Sequence, residues 1–298
     1  MSTQPPLEQV QHYLIRAKNL YDRDKTLAAK FASATDEKYL KFVDTEAVIY
    51  FRELQEVGIP LPAWEEMVTV GGETDIRKFL AIGYECFEKI FRRLPPAKAK
   101  QRILDFGVGC GRTMRFFFRH QQDFECHGCD VDAKSIDYLA RNAQFIDARV
   151  SGTKPPLGYP AGFFDVVYCV SVFTHFNAEY FSSWMKEIQR VLRPGATFIF
   201  SLHGRTAFDQ VCTSVERRRL LGIDEREFHD RRAGYQQTGF VWLKQPVGSA
   251  DIDTNSYGIT FIDEDRLIEL LPTGTQLLEY SKGELNGWQD LVVIRKVA

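Results

Sequence analysis

Apolar positions along this chain follow two rhythms. Up to about residue 97 they recur at helical spacing. Leu40, Val43, Val48, Phe51 and Leu54 predict a helix over 37–56, and Ile76, Phe79, Leu80, Phe87, Ile90 and Phe91 predict another, with Asp75 as its N-cap. Between them, 68–73 carries Gly71-Gly72 and reads as an ordered turn or short strand. The run Leu94-Pro95-Pro96-Ala97-Lys98-Ala99-Lys100 is a linker, so 1–97 reads as a helical segment and 98–298 as the remainder. Beyond it, short apolar runs alternate with helical stretches. Strands are expected at 102–106, 124–132, 143–150, within 162–176, and at 196–202. A helix from about Ala178 aligns Phe181, Trp184, Met185, Ile188, Val191 and Leu192, and stops at Arg193-Pro194-Gly195. Residues 204–262 read as an insertion, followed by a helix at 264–271 and two closing strands, 276–280 and 290–297, joined by a loop over 281–288.

The chemistry begins at the first of these strands. Arg102-Ile103-Leu104-Asp105-Phe106 ends in Gly107-Val108-Gly109-Cys110-Gly111-Arg112, with glycines at alternate positions. Glycine lets the backbone turn tightly and approach a ligand that a Cβ would exclude. Thr113 to Phe118 could then open a helix whose N-terminal amides face that ligand. The next strand ends at Asp130, 19 residues past Gly111, with Asp132 just beyond. An acidic side chain there can accept from both hydroxyls of a ribose, and Asp130 is the first choice. The dinucleotide fingerprint G-x-G-x-x-G would need a third glycine where Arg112 stands, which argues against a dehydrogenase.

The pattern D-x-G-x-G-x-G resembles motif I of the class I S-adenosylmethionine-dependent methyltransferases. Later segments (F-D-V-V-Y, S-V-F-T-H-F, a helix, R-V-L-R-P-G and a strand) are similar to the second half of that core, so the resemblance covers roughly 100–203. It implies an α/β fold with a Rossmann-like seven-stranded sheet, mostly parallel with the last strand antiparallel, and helices on both faces. It also implies S-adenosylmethionine as cofactor. Asp105, Gly107, Gly109 and Gly111 would serve its amino-acid half and ribose. Asp130 would take the ribose hydroxyls, Val131 would pack on adenine, and Ser151 and Gly152 would lie near its amino edge. Backbone groups at Cys169 to Ser171 would meet the methionine ammonium, and Arg112 could reach the carboxylate. Many members carry an Asp after the third strand for the adenine amino group; Ser151-Gly152-Thr153 stands there instead, which leaves backbone groups or a hydroxyl for that task.

Composition narrows the partners. A net charge of −2 gives no sign of a nucleic-acid surface, and Arg217-Arg218-Arg219 is flanked by acids. The polar N-terminus lacks the apolar core of a signal peptide, and no apolar stretch is long enough to span a bilayer, so a soluble cytoplasmic protein is expected. Cys126 and Cys129 invite a zinc reading, but no second ligand pair has matching spacing, and they read as strand thiols.

Methyl transfer to a hydroxyl needs a base for its proton. Two histidines end core strands: His175 after the fourth and His203 after the fifth. Each is a candidate catalytic base, as is a group from the insertion; positioning alone is the alternative. The insertion carries His229, Tyr235, Trp242, Asp251, Asp253 and Tyr257, and Trp288 and Gln289 lie on the closing hairpin as candidate acceptor contacts, with structural packing the favoured role for both. This suits a small-molecule acceptor stacked and enclosed over the strand ends. O-methylation of a small molecule or sugar is favoured, also because relatives with a similar T-K-P-P-L loop resemble methyltransferases of glycan and secondary-metabolite pathways. An aminopropyl transferase on the same fold would want a denser carboxylate cluster. A non-catalytic adapter would not need an intact glycine loop. The oligomeric state is not legible.

Overall fold

The computed structural model describes residue 62 and residues 76–96, 99–245 and 257–297. The helix expected over 37–56, the segment 68–73, Asp75, Asp251 and Asp253 lie outside these residues.

The core strands are β1 (Gln101–Phe106), β2 (Phe124–Asp130), β3 (Ile146–Val150), β4 (Phe164–Cys169) and β5 (Leu192–Leu202). Two more, β6 (Phe240–Lys244) and β7 (Gly258–Ile262), belong to the insertion, and β8 (Thr275–Leu285) and β9 (Gln289–Lys296) close the chain. Seven form one sheet in the order β3-β2-β1-β4-β5-β9-β8. β1, β4 and β5 run parallel, and β9 is antiparallel to both β5 and β8. This is the mostly parallel α/β sheet with a reversed last strand that was expected. Every residue of β4 is buried, as a parallel strand covered on both faces requires. The strand order reverses between β1 and β4, where ligands of such sheets bind beyond the carboxyl ends.

The chain divides into two compact units, Met1–Arg92 with Val108–Arg149, and Arg93–Gly107 with Val150–Ala298. In the first, helix α1 (Ile76–Phe91) buries Phe79, Leu80, Tyr84, Phe87 and Ile90 at helical spacing. Phe87 meets Phe117 edge-on at 5.0 Å, and Phe91 lies 4.5 Å from the His120 ring. The residues after the glycine loop form a 3-10 helix over Met114–His120. Its first four side chains, Met114, Arg115, Phe116 and Phe117, are all buried, while Arg119 is exposed. Helix α2 (Ala133–Asn142) completes this unit.

In the second unit, helix α3 (Ala178–Val191) turns Phe181, Trp184, Met185, Ile188 and Val191 inward, and Phe173 packs against Phe181, Phe198 and Phe200. The chain becomes extended at once after Val191. Leu192 is buried and pairs with Phe164, so β5 includes Arg193-Pro194-Gly195 instead of beginning after them. The insertion folds around its own core of Ala207, Phe208, Val211, Phe228, Tyr235 and Phe261. It comprises helices α4 (Arg205–Thr213), α5 (Val215–Leu220) and α6 (Glu225–Thr238) and the antiparallel ribbon β6–β7. Helix α7 (Glu264–Leu270) follows. β8 extends to Leu285, so most of the expected loop over 281–288 is strand. The reversal falls at Asn286 and Gly287, both left-handed (φ 55° and 64°), an Asn-Gly turn signal the sequence reading passed over.

Candidate active site

In the first unit, the loop from Val108 to Gly111 is pinned by backbone bonds from Val108 N to Cys129 O (3.0 Å) and Gly111 N to Val108 O (2.9 Å). Gly109 and Gly111 are both left-handed, and a Cβ on Gly111 would lie 2.8 Å from Leu139 of α2. Gly111 is therefore required by helix–loop packing as well as by turn geometry. Gly128, which the sequence reading did not single out, leaves room for Val108: a Cβ there would meet its side chain at 3.0 Å. Asp130 closes the loop, its Oδ2 accepting from Gly109 N (2.7 Å) and its Oδ1 from Asp132 N (3.0 Å). Burial pushes the Asp130 carboxyl above its usual range, and these amides oppose the shift. Each oxygen keeps a second lone pair for a further donor. Asp132 is committed elsewhere, capping α2 through Lys134 N and Ser135 N, which leaves Asp130 as the acid suited to a ribose. Val131 is half-buried beside it, and the Arg112 side chain is also half-buried.

In the second unit, the buried Asp105 accepts from the Tyr168 hydroxyl at 2.8 Å, across the register that pairs β1 with β4. Gly107 is left-handed (φ 84°), and a Cβ on it would lie 2.4 Å from Val172 Cγ2. Ser151 is half-buried and Gly152 exposed. At the carboxyl end of β4, Ser171 holds φ 60°, a conformation costing a non-glycine residue about 1–3 kcal/mol. The surroundings impose it. Ser171 N donates to Ser201 Oγ of β5 (2.8 Å), and Gln289 Nε2 of β9 donates to Ser171 Oγ (2.8 Å). Gln289, a candidate acceptor contact for which a structural role is favoured, thus braces Ser171.

His175 ends a 3-10 turn over Phe173–His175. Its Nδ1 lies 2.7 Å from the Gly258 carbonyl oxygen, an acceptor, so Nδ1 carries the proton and Nε2 the lone pair. The ring stacks on Tyr257 at 4.4 Å, and Trp242 Nε1 donates to the His175 carbonyl at 3.2 Å. Thr260 Oγ1 donates to the Phe176 carbonyl, so the β6–β7 ribbon is docked on this turn. Burial lowers the His175 pKa, and hydrogen bonds with Gly258 and Gln245 counter it.

His203 is 4% exposed, packed against Phe261 and Trp288, with Nδ1 buried and unpartnered. Burial, followed by the charge of His175, pushes its pKa down to about 3, against a bond with the Thr260 backbone. Of the insertion's singled-out residues, Tyr235 lies in its core and His229 is exposed, while Trp242 and Tyr257 meet the His175 turn. Trp288 packs on His203 beneath the Arg217 guanidinium. A cavity of about 180 Å³ lies nearby in the same unit, lined by Arg205, Asp263, Glu264, Asp265, Tyr280 and Lys282. Cys126 and Cys129 are buried cysteines of β2. No cluster able to hold a metal occurs among the described residues.

A glycine loop closed by an acid, on a sheet of this order, is similar to the arrangement of class I S-adenosylmethionine-dependent methyltransferases. Residues 104–200 match a family model described as a methyltransferase domain. A similar curated protein is an uncharacterised methyltransferase, YdaC, of Bacillus subtilis (strain 168). It is 29% identical over 106 residues, 35% of this chain and 58% of that protein's length. Similar solved structures include S-adenosylmethionine-dependent methyltransferases of Methanosarcina mazei (17% identical, TM-score 0.47, covering 70% of this chain and 97% of that one). Another is from Aquifex aeolicus (12% identical, TM-score 0.46, covering 78% and 98%). Among the described residues, no helix is long and apolar enough to cross a membrane.

Proposed function

We propose that the protein transfers a methyl group from S-adenosylmethionine to a hydroxyl of a small molecule or sugar, in the cytoplasm, with His175 as the base. The observation that carries this reading is the state of His175. Its Nδ1 proton is committed to Gly258, Nε2 holds the lone pair, and the Gln245 side chain favours the ring once protonated. A residue so arranged at the carboxyl end of β4 is suited to receive a proton. His203 is a poorer base, because a proton on it would be held weakly.

The residues present fit the cofactor. When bound, S-adenosylmethionine supplies a methyl group on a good leaving group. On the first unit, Gly109 and Gly111 would keep side chains off the loop, Asp130 would accept from the ribose hydroxyls, Val131 would pack on adenine, and Arg112 would face the carboxylate. On the second, Asp105 and Gly107 would serve the amino-acid half, Ser151 and Gly152 the adenine edge, and the Ser171 carbonyl the ammonium. The braced Ser171 backbone costs no reorganisation at the moment of reaction, so positioning supplies part of the rate. The net charge of −2 supports a small acceptor over a nucleic acid.

Acceptor panels of hydroxylated small molecules and sugars, read by release of S-adenosylhomocysteine, test the reading. Turnover with a hydroxyl acceptor, lowered by about 10²- to 10⁴-fold in His175→Ala with unchanged cofactor affinity, is expected. Methylation of nitrogen or sulfur acceptors only, at rates His175→Ala leaves intact, would contradict it.

A further inference from the structure

Among the described residues, Arg115 is a cation without a counter-ion. Its side chain is 2% exposed, among the most buried of the large side chains. Nε donates to the Gly111 carbonyl (3.1 Å) and Nη2 to the Cys110 carbonyl (3.2 Å). The Arg115 backbone amide also donates to Gly111 O, at 3.0 Å. The guanidinium carbon sits 5.4 Å from the centre of the Phe79 ring. Nη1 is buried with no hydrogen-bond partner, and no carboxylate pairs with the group among the described residues.

A guanidinium stays charged in any protein environment. Burying it is unfavourable unless an opposite charge compensates, and carbonyl dipoles with one aromatic face do so only in part. Position matters as well as charge. Arg115 draws the Cys110 and Gly111 carbonyls to one side, and because peptide units are planar and trans, the Arg112 N–H must point away from it. The group therefore fixes the peptide planes of the glycine loop and places a nearly unscreened positive charge behind them.

We propose that Arg115 is a specificity-determining residue that makes the glycine loop select a carboxylate-bearing nucleoside ligand over one lacking that carboxylate. The inference rests on the reading that S-adenosylmethionine binds this loop. S-adenosylhomocysteine keeps the amino-acid carboxylate, whereas 5′-methylthioadenosine has the same nucleoside and thioether without it. The pair isolates what Arg115 supplies, and a carboxylate at the loop would be the counter-ion that none of the described residues provides.

The experiment is calorimetry of both ligands with the full chain and with Arg115→Met, Arg115→Lys and Arg112→Met, after circular dichroism has verified folding. Arg115→Met is expected to weaken S-adenosylhomocysteine by about 10- to 100-fold, the scale of a lost charge-assisted interaction, and to leave 5′-methylthioadenosine nearly unchanged. Arg115→Lys keeps the charge and should retain most of the preference even if Arg115→Met fails to fold. Equal losses for the two ligands would reduce Arg115 to a loop-packing role and overturn the proposal. So would a preference lost in Arg112→Met but kept in the Arg115 variants. Wild-type protein that binds neither ligand would instead overturn the cofactor reading beneath it.

Discussion

His203 shows how one side chain can shape the behaviour of the folded state. Its pKa, near 6.5 when exposed, falls to about 3 when buried, so the unfolded chain binds the proton that the folded chain refuses. Stability should therefore fall as pH drops from 6.5 towards 3, with a slope approaching one proton, and be unaffected by this group above 6.5. Urea denaturation of wild type and His203→Gln at pH 7 and pH 5 checks this: the wild type should lose more on acidification, and equal losses would contradict it. Asp290 offers a second case. It is fully buried, accepts from the Tyr280 hydroxyl (2.7 Å) and Gly283 N (2.7 Å), and occupies the space a Cβ on Gly204 would need. Tyr280→Phe should cost about 1–3 kcal/mol by leaving that carboxylate short of a donor, measurable by the same denaturation. At this scale the sequence was informative where chemistry is local. Asp130 follows its loop at a recognisable distance, whereas Gln289 and Ser171 are 118 residues apart and only the sheet brings them together. Arg115, within a run of aromatic residues, has no linear signature of its burial.

Elements were legible wherever apolar spacing was regular, as in α1 and α3, and less so where packing overrode it. The turn after the glycine loop winds as 3-10, with its four consecutive side chains from Met114 to Phe117 buried. The ribbon β6–β7 went unforeseen because its two strands are each only five residues long and stand apart in the chain. That ribbon holds the His175 turn through Gly258, Tyr257, Trp242 and Thr260, so ribbon and proposed base should act together. Tyr257→Ala is expected to lower kcat while the Kd for S-adenosylmethionine stays within about twofold, since positioning of the base is what suffers. Steady-state kinetics beside calorimetry reads that split. A fall in cofactor affinity matching the fall in kcat would contradict it. The same arrangement sets the pH dependence of turnover. With the His175 pKa held below its ordinary 6.5, activity should persist under mildly acidic conditions, its acid limb lying below pH 6.5. A limb at or above 6.5 would argue for another base.

At the scale of the molecule, a seven-stranded, mostly parallel sheet carries an insertion with its own hydrophobic core between β5 and β8. Sheet class was legible because strand and helix patterns alternate over the matched span of 104–200, whereas the strand order came only with the structure. The acceptor was not, because specificity in such folds resides in segments whose composition reports packing more than chemistry. Tyr235, for instance, looks like a stacking residue in the sequence and is spent on the insertion's interior. The central claim is that the glycine loop and Asp130 bind S-adenosylmethionine, and calorimetry of wild type and Asp130→Ala tests it most directly. Wild type should bind, and Asp130→Ala should bind more weakly by the loss of charge-assisted bonds worth about 1.5–3 kcal/mol each. Unchanged affinity in Asp130→Ala, or no binding to the wild type, would contradict the account.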